Sequence, residues 1–307
     1  MITDPYGRPV KSIRISVTQR CNLSCFYCHM EGERLQTNPT EMAPQEIERI
    51  VEVAASFGVD NVKLTGGEPL LRKDIKEIVK RISGVPGIIE VSMTTNGTLL
   101  EGAAGQLKEA GLTRVNVSLD TVKPETYRMI TGFDLLDAVI SGIREAVEVG
   151  LSPVKVNMVL MKGVNDDQVW EMVDFARENN LILQLIELEA SKENLNEVYM
   201  RRHLDLAEIE NELNRRAEKV IVREMHHRRK YLLREGVEVE VVRPMHNTEF
   251  CQYCNRLRVT SDGKLKPCLF RDDNLVDILG PIRRGAKEAD LRKLFLEAVR
   301  RRRPYFT

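Results

Sequence analysis

The sequence predicts an α/β fold built around a parallel sheet. Two observations carry this. Short β-branched runs alternate with amphipathic stretches of helical period through the first two thirds of the chain. The segments between consecutive runs are also long enough for the crossovers that parallel strands require. Residues 12–17 (SIRISV) read as the first strand. A helix at 44–57 carries Pro44 near its first turn and stops at Gly58. Strands at 61–65, 89–93, 114–118, 154–159 and 182–187 follow. Helices at 73–82, 99–110, 135–149 and 167–179 separate them, the second of these ending at Gly111.

Six strand units fall short of the eight that close a (β/α)8 barrel, and a doubly wound open sheet fits the same periodicity. Beyond Glu189 the rhythm changes. A charged helix at 206–217 precedes short strands at 220–223, 231–234 and 237–242, whose polar turns suggest antiparallel pairing. A last helix is expected at 288–301. The resulting division is 1–195 and 196–307, with no internal repeat and no low-complexity linker.

The 307 residues are 42% apolar and 30% charged, enough for a sizeable core. Lys+Arg and Asp+Glu both number 46, so net charge gives no push toward nucleic acid or membrane. The local runs HHRRK (226–230) and RRRR (300–303) read either as solvated basic surface or as a polyanion site. No run approaches the roughly 20 apolar residues of a spanning helix, and residues 1–12 lack a signal peptide's apolar stretch. A cytoplasmic setting is expected, where clustered cysteines bind metal more readily than they form disulfides.

The cysteines are the most informative residues. Cys21, Cys25 and Cys28 form C-x3-C-x2-C on the loop after the first strand, and Cys251, Cys254 and Cys268 form C-x2-C-x13-C. Three close thiolates can hold three irons of one [4Fe–4S] cube and leave the fourth iron open. Zinc completed by a histidine is the alternative for each group, through His29 for the first and His246 for the second. The segment TGGEP (65–69) closes the second strand. Its glycines fit a tight turn, or a close approach of backbone carbonyls to a bound ammonium. Arg14 and Lys155 lie on strand patterns, where a cation needs a partner: a triphosphate, or a carboxylate such as Glu187.

C-x3-C-x-aromatic-C, with Tyr27 as the aromatic residue, together with GGEP resembles the radical S-adenosylmethionine superfamily. The resemblance narrows to the GTP 3′,8-cyclase family over about residues 10–270. It is carried by both triplets, Arg14, TTNG (94–97), NVSLD (116–120), KVN (155–157) and NRLR (255–258). It implies an incomplete (β/α)6 TIM-type barrel with a C-terminal α+β extension carrying a second cluster. The implied cofactors are two [4Fe–4S] clusters and S-adenosyl-L-methionine. Cys21, Cys25 and Cys28 would hold the radical-generating cluster, and Cys251, Cys254 and Cys268 the substrate-bound one, facing each other across a barrel mouth. Tyr27, Gly67, Ser118 and Glu189 fall on S-adenosylmethionine positions. Arg14, Lys63, Thr94, Lys155, Arg256 and Arg258 fall on GTP positions.

The implied chemistry is a lyase reaction of molybdenum cofactor (molybdopterin) biosynthesis. A deoxyadenosyl radical abstracts the ribose 3′ hydrogen of GTP, and the carbon radical attacks C8 of guanine. Implied partners are an electron donor of flavodoxin or ferredoxin type and a downstream cyclic pyranopterin monophosphate synthase. Neither nucleic acid nor membrane is expected, and the chain would act as a monomer or homodimer. Three departures stand out: Lys63 and Gln184 where the family has Arg, Glu189 where it has Met, and a tail RRRPYFT in place of Gly-Gly. Rival readings are a peptide-modifying radical enzyme with an auxiliary cluster, and a non-catalytic iron–sulfur carrier. Both normally ligate every auxiliary iron, and six cysteines in two triplets leave none spare.

Overall fold

The computed structural model describes residues 2–33, 41–191 and 197–307. Its strands are β1 Ser12–Ser16, β2 Asn61–Thr65, β3 Glu90–Thr95, β4 Arg114–Ser118, β5 Lys155–Leu160, β6 Ile182–Glu187, β7 Ala217–Val222, β8 Arg229–Leu233, β9 Glu238–Val242, β10 Arg256–Val259, β11 Lys264–Lys266 and β12 Val276–Asp277. Helices α1 Pro44–Ala55, α2 Ile75–Ser83, α3 Ala104–Glu109, α4 Pro124–Thr131, α5 Leu136–Glu148 and α6 Val169–Glu178 connect β1 to β6. The later part contributes α7 Glu197–Arg202, α8 Ala207–Arg216, α9 Thr248–Gln252, α10 Leu279–Arg283 and α11 Glu288–Arg300. Among the described residues no helix is long and apolar enough to cross a membrane.

All strands join one sheet in the order β12-β11-β10-β1-β2-β3-β4-β5-β6-β9-β8-β7. The α/β, parallel-rich character predicted from periodicity is present: β1 to β6 pair in parallel in sequence order. The extension departs from its predicted form. β8 pairs antiparallel with β7 and β9 as expected, but β9 also lies parallel on β6. The unforeseen strand β10 lies parallel on β1. Exposed edges of a parallel sheet carry unpaired backbone groups, and the extension covers both of them. The predicted helix at 99–110 is helical only from Ala104, after turns through Gly102 (φ 75°).

Alternation along the strands decides what each face does. Ile13, Ile15, Val62, Leu64, Val91, Met93, Val115, Val117, Val156, Met158, Leu183 and Leu185 are buried in the core that the helices cover. The intervening positions, Arg14, Lys63, Ser92, Thr94, Asn116, Ser118, Lys155, Asn157 and Gln184, line an interior cavity. Each strand is thus apolar on one face and polar on the other, although both faces lie inside the molecule.

The ends of the described chain are knotted together. Arg302 is buried and ion-pairs with buried Asp4 at 3.3 Å. It also donates to the carbonyls of Arg8 at 3.2 Å and Cys254 at 2.6 Å. Removing one member of a buried ion pair costs about 3–5 kcal/mol. Arg302→Ala is therefore expected to lower unfolding stability by about 3 kcal/mol or more. A denaturant titration finding a loss under about 1 kcal/mol would contradict this account.

Candidate functional site

The polar strand faces surround a cavity of about 630 Å³, and every residue that the resemblance assigns to a cluster, S-adenosylmethionine or GTP lines it. These are the six cysteines, Tyr27, Gly67, Ser118 and Glu189, and Arg14, Lys63, Thr94, Lys155, Arg256 and Arg258.

The first triplet occupies the loop leaving the carboxyl end of β1. Backbone bonds dock that loop on the end of α4, from Ser24 N to Thr131 O (2.9 Å) and from Phe26 N to Ile130 O (3.2 Å). Tyr27 donates to Asp120 at 2.6 Å, and Asp120 accepts from Val159 N at 2.8 Å. Burial raises the Asp120 pKa to about 6. The three thiols sit close enough to act on one another: burial, Asp120, Cys28 and Cys21 push Cys25 up to about 12. Gly66 and Gly67 have a packing reason. A Cβ would stand 2.4 Å from Thr18 O at Gly66 and 2.1 Å from Arg20 O at Gly67, so the chain leading into Cys21 lies directly on their backbone. Buried Glu68 then joins β2 to β3, accepting from Thr95 Oγ1 at 2.7 Å and Asn96 N at 2.6 Å.

Arg14, Arg258 and Lys155 are held by carboxylates, though not by Glu187, which bonds His203 at 2.8 Å and Met245 N at 3.0 Å. Glu31 bridges Arg14 (3.3 Å), Arg258 (2.7 Å) and Thr65 Oγ1 (2.7 Å). Burial alone would raise its pKa, but Arg14, Arg258 and His29 outweigh burial and hold Glu31 well below the usual carboxylate range. Glu240 takes Lys155 at 2.6 Å and Arg223 at 2.8 Å, and also accepts from Gln184. Lys63 donates to Asn116 at 2.8 Å. Burial, with Arg114, Arg14 and Arg256 nearby, pulls its pKa well below the ordinary lysine value. Arg14 Nε is buried without an acceptor. Glu189 pairs with His29 at 3.2 Å.

The second triplet lies on α9, the turn after it and the segment after β11. Cys254 precedes by two residues the strand whose first residue, Arg256, pairs with Ser12 at the start of β1. Cys254 thus lies beside the start of β1, whereas the first triplet follows the end of β1 in the chain, and all six cysteines line the same cavity. Burial raises the Cys268 thiol, with Cys254 and Cys251 adding to it. Burial opposes ionisation of Cys254 too, but Arg302, the Arg256 backbone and the Arg256 and Arg8 charges reverse the effect and lower its pKa. His246 packs against Phe306, ring centroids 5.2 Å apart. Among the described residues no three His, Cys, Asp or Glu side chains converge on a single metal-ion position. In the tail, Arg303 and Tyr305 line the cavity, and Tyr305 and Phe306 bury themselves against Phe270.

Glu31, Glu240, Asp120 and Arg228 escaped the sequence reading. Asp120 lay inside a quoted segment and Arg228 inside the basic run 226–230, without an individual role; Glu31 and Glu240 have no spacing signal, because their partners are distant in sequence. The basic run 226–230 is not simply solvated surface: His226 is buried and Arg228 lines the cavity. Lys155, Arg228 and Arg223 overcome the burial of Glu240 and hold its pKa at about 2, against an ordinary 4.5. That stabilisation is fully present above pH 4.5 and is lost as pH falls toward 2, a total of about 3 kcal/mol. Glu240→Gln should abolish this part of the acid dependence. Denaturant titrations at pH 7 and pH 3 check it, and an unchanged difference between wild type and variant would contradict it.

Comparisons with known proteins bear on the same residues. Residues 15–176 match the Radical SAM superfamily, and residues 181–307 match Molybdenum Cofactor Synthesis C. The chain is 54% identical to a "Probable GTP 3′,8-cyclase" of Pyrococcus horikoshii, over 100% of this chain and 99% of that one. It is 51% identical to another so described from Methanothermobacter thermautotrophicus, covering 100% and 99%. Among solved structures, Streptococcus suis SuiB bound to S-adenosylmethionine superposes with TM-score 0.67 at 20% identity, over 89% of this chain and 64% of SuiB. The chain thus spans about two thirds of SuiB's length, and at that identity the likeness concerns the fold alone. The native anSMEcpe with bound AdoMet and Kp18Cys peptide gives TM-score 0.61 at 18% identity, covering 87% and 76%. On these grounds the chain belongs to the GTP 3′,8-cyclase family of the radical S-adenosylmethionine superfamily.

Proposed function

We propose that this chain is a radical S-adenosylmethionine GTP 3′,8-cyclase. It converts GTP to (8S)-3′,8-cyclo-7,8-dihydroguanosine 5′-triphosphate in molybdenum cofactor biosynthesis. The observation that carries this reading is a cation-lined cavity bounded by two cysteine triplets, in a chain about half identical to its cyclase relatives along its whole length.

When bound, the first cluster and S-adenosylmethionine supply the hydrogen-abstracting radical, and the second cluster supplies an open iron for the guanine. The residues present suit these groups. Each triplet gathers thiols close enough to shift one another's ionisation, and the cations near Cys254 favour a thiolate ligand. In this reading, residues 1–195, an incomplete (β/α)6 barrel, orient S-adenosylmethionine through Tyr27, Gly67 and Ser118. Residues 196–307 bring the second triplet with Arg256 and Arg258. Arg14, Lys63, Lys155, Arg256 and Arg258 bind the triphosphate, with Thr94 donating a hydroxyl. Glu31 and Glu240 keep these cations ordered and in a low-dielectric site, where they act on phosphate most strongly. Glu189 serves its own pair with His29, a use distinct from packing on S-adenosylmethionine. A flavodoxin- or ferredoxin-type donor and a cyclic pyranopterin monophosphate synthase are the proposed partners. A peptide substrate fits this lining less well, because the surplus of cations calls for a polyanion.

Anaerobic turnover with S-adenosylmethionine and GTP, read by mass for the cyclised product, tests the proposal. Consumption of S-adenosylmethionine with GTP left intact would overturn the substrate. Cys21→Ala is expected to abolish deoxyadenosine formation. Cys268→Ala should retain uncoupled cleavage while losing GTP conversion. Equal loss in the two variants would argue against separate roles for the triplets.

A further inference from the structure

Arg228 lies outside every segment that carries the family resemblance, yet its side chain lines the cavity and is 12% exposed. A guanidinium carries five N–H donors in a fixed fork. Among the described residues those donors meet only weak partners. Nη2 approaches the Met225 thioether at 3.8 Å, and Nη1 comes no closer than 3.9 Å to Glu240. Nε is buried with no acceptor. The same Met225 sulfur is 3.7 Å from Arg256 Nη2, so two guanidinium groups converge on one thioether. Buried donors without acceptors are costly, and charged ones more so.

The turn that delivers Arg228 is firmly built. His226 and His227 adopt left-handed conformations, φ 62° and 47°, unusual for residues other than glycine. α9, which carries Cys251, clamps the turn. The His226 ring stacks on Phe250 at 3.8 Å, the His227 ring on Tyr253 at 3.2 Å, and His226 N donates to Tyr253 O at 2.9 Å. Arg223 N closes the loop on Arg228 O at 2.9 Å. Such backbone strain persists only where the surroundings over-determine it. Its effect here is to drive Met225 and Arg228 into the cavity. The chemistry that satisfies two adjacent guanidinium forks is an acceptor-only group with several oxygens and more than one negative charge.

We propose that Arg228 is a phosphate-binding residue, acting with Arg256 across the Met225 thioether on the phosphate chain of a nucleoside triphosphate. The assignment rests on the GTP reading above and adds a ligand from the extension to it. Equilibrium binding of GTP and of guanosine to anaerobically reconstituted protein tests it. Arg228→Ala should weaken GTP by about 10- to 100-fold while leaving guanosine and S-adenosylmethionine affinities unchanged. Arg228→Lys should recover part of the loss, keeping the charge without the fork. Unchanged GTP affinity in Arg228→Ala would overturn the assignment. So would equal weakening of GTP and guanosine, since that marks collapse of the turn. A wild-type protein that fails to bind GTP would overturn the substrate reading itself, and this assignment with it.

Discussion

Glu31 and Glu240 balance a row of cations buried on the inner face of a parallel sheet. Burying a lone ion is prohibitive, and burying a pair is tolerable only with good geometry and further hydrogen bonds. Both carboxylates meet that condition by bridging. Glu31 spans Arg14, Arg258 and Thr65, and Glu240 spans Lys155, Arg223 and Gln184. The cations are thereby fixed without being fully neutralised, since Arg14 Nε and Arg228 Nε keep donors unmet. Parallel strands are ordinarily apolar on both faces. Here the polar half of the alternation points inward, and the apolar half carries the stability on the helix side alone.

The same carboxylates tie the later strands to the parallel sheet. Glu240 comes from β9 and Arg258 from β10, the strands that close the two sheet edges. The turn carrying Glu31 continues outward to the second half of the site. Lys266 Nζ donates to Gly32 O at 2.9 Å, Ser261 Oγ bonds Glu33 at 2.6 Å, and a Cβ on Gly32 would lie 2.4 Å from Leu269 O. The segment following Cys28 therefore leans on the segment containing Cys268. One short turn relates the two triplets and the arginines between them.

Much of this was legible in the residues and some was not, for physical reasons. The β/α rhythm was legible because helix and strand periods are local, and the strands at 61–65, 114–118 and 182–187 match the observed bounds. β10 was not, because RLRV is four residues long and its partner β1 lies more than two hundred positions away. Cysteine spacing exposed both triplets. The glycines of TGGEP were visible, but their reason was only half so: the structure adds a steric one, the carbonyls of Thr18 and Arg20. The basic runs could not be resolved from composition. Arg302 and Arg228 turn inward while Arg300, Arg301 and Arg229 stay exposed, a sorting decided by tertiary structure: the Asp4 pair for Arg302 and the clamped turn at 225–228 for Arg228.

The knot formed by Asp4, Arg8 and Arg302 bears on the order in which the molecule assembles. Arg8 holds the Cys251 carbonyl at 2.8 Å across 243 positions, and Arg302 reaches back 294 positions to the Arg8 carbonyl. Contacts of such separation are slow to close, because loop entropy must be lost before they form. The loop bearing Cys21, Cys25 and Cys28 docks first on α4 and on the glycines that follow β2, all within about the first 130 residues. The contacts that shape the two cysteine loops are therefore staggered: those of the first lie largely within the early β/α units, and those holding Cys251 and Cys254 wait until residues 4–8 meet Arg302.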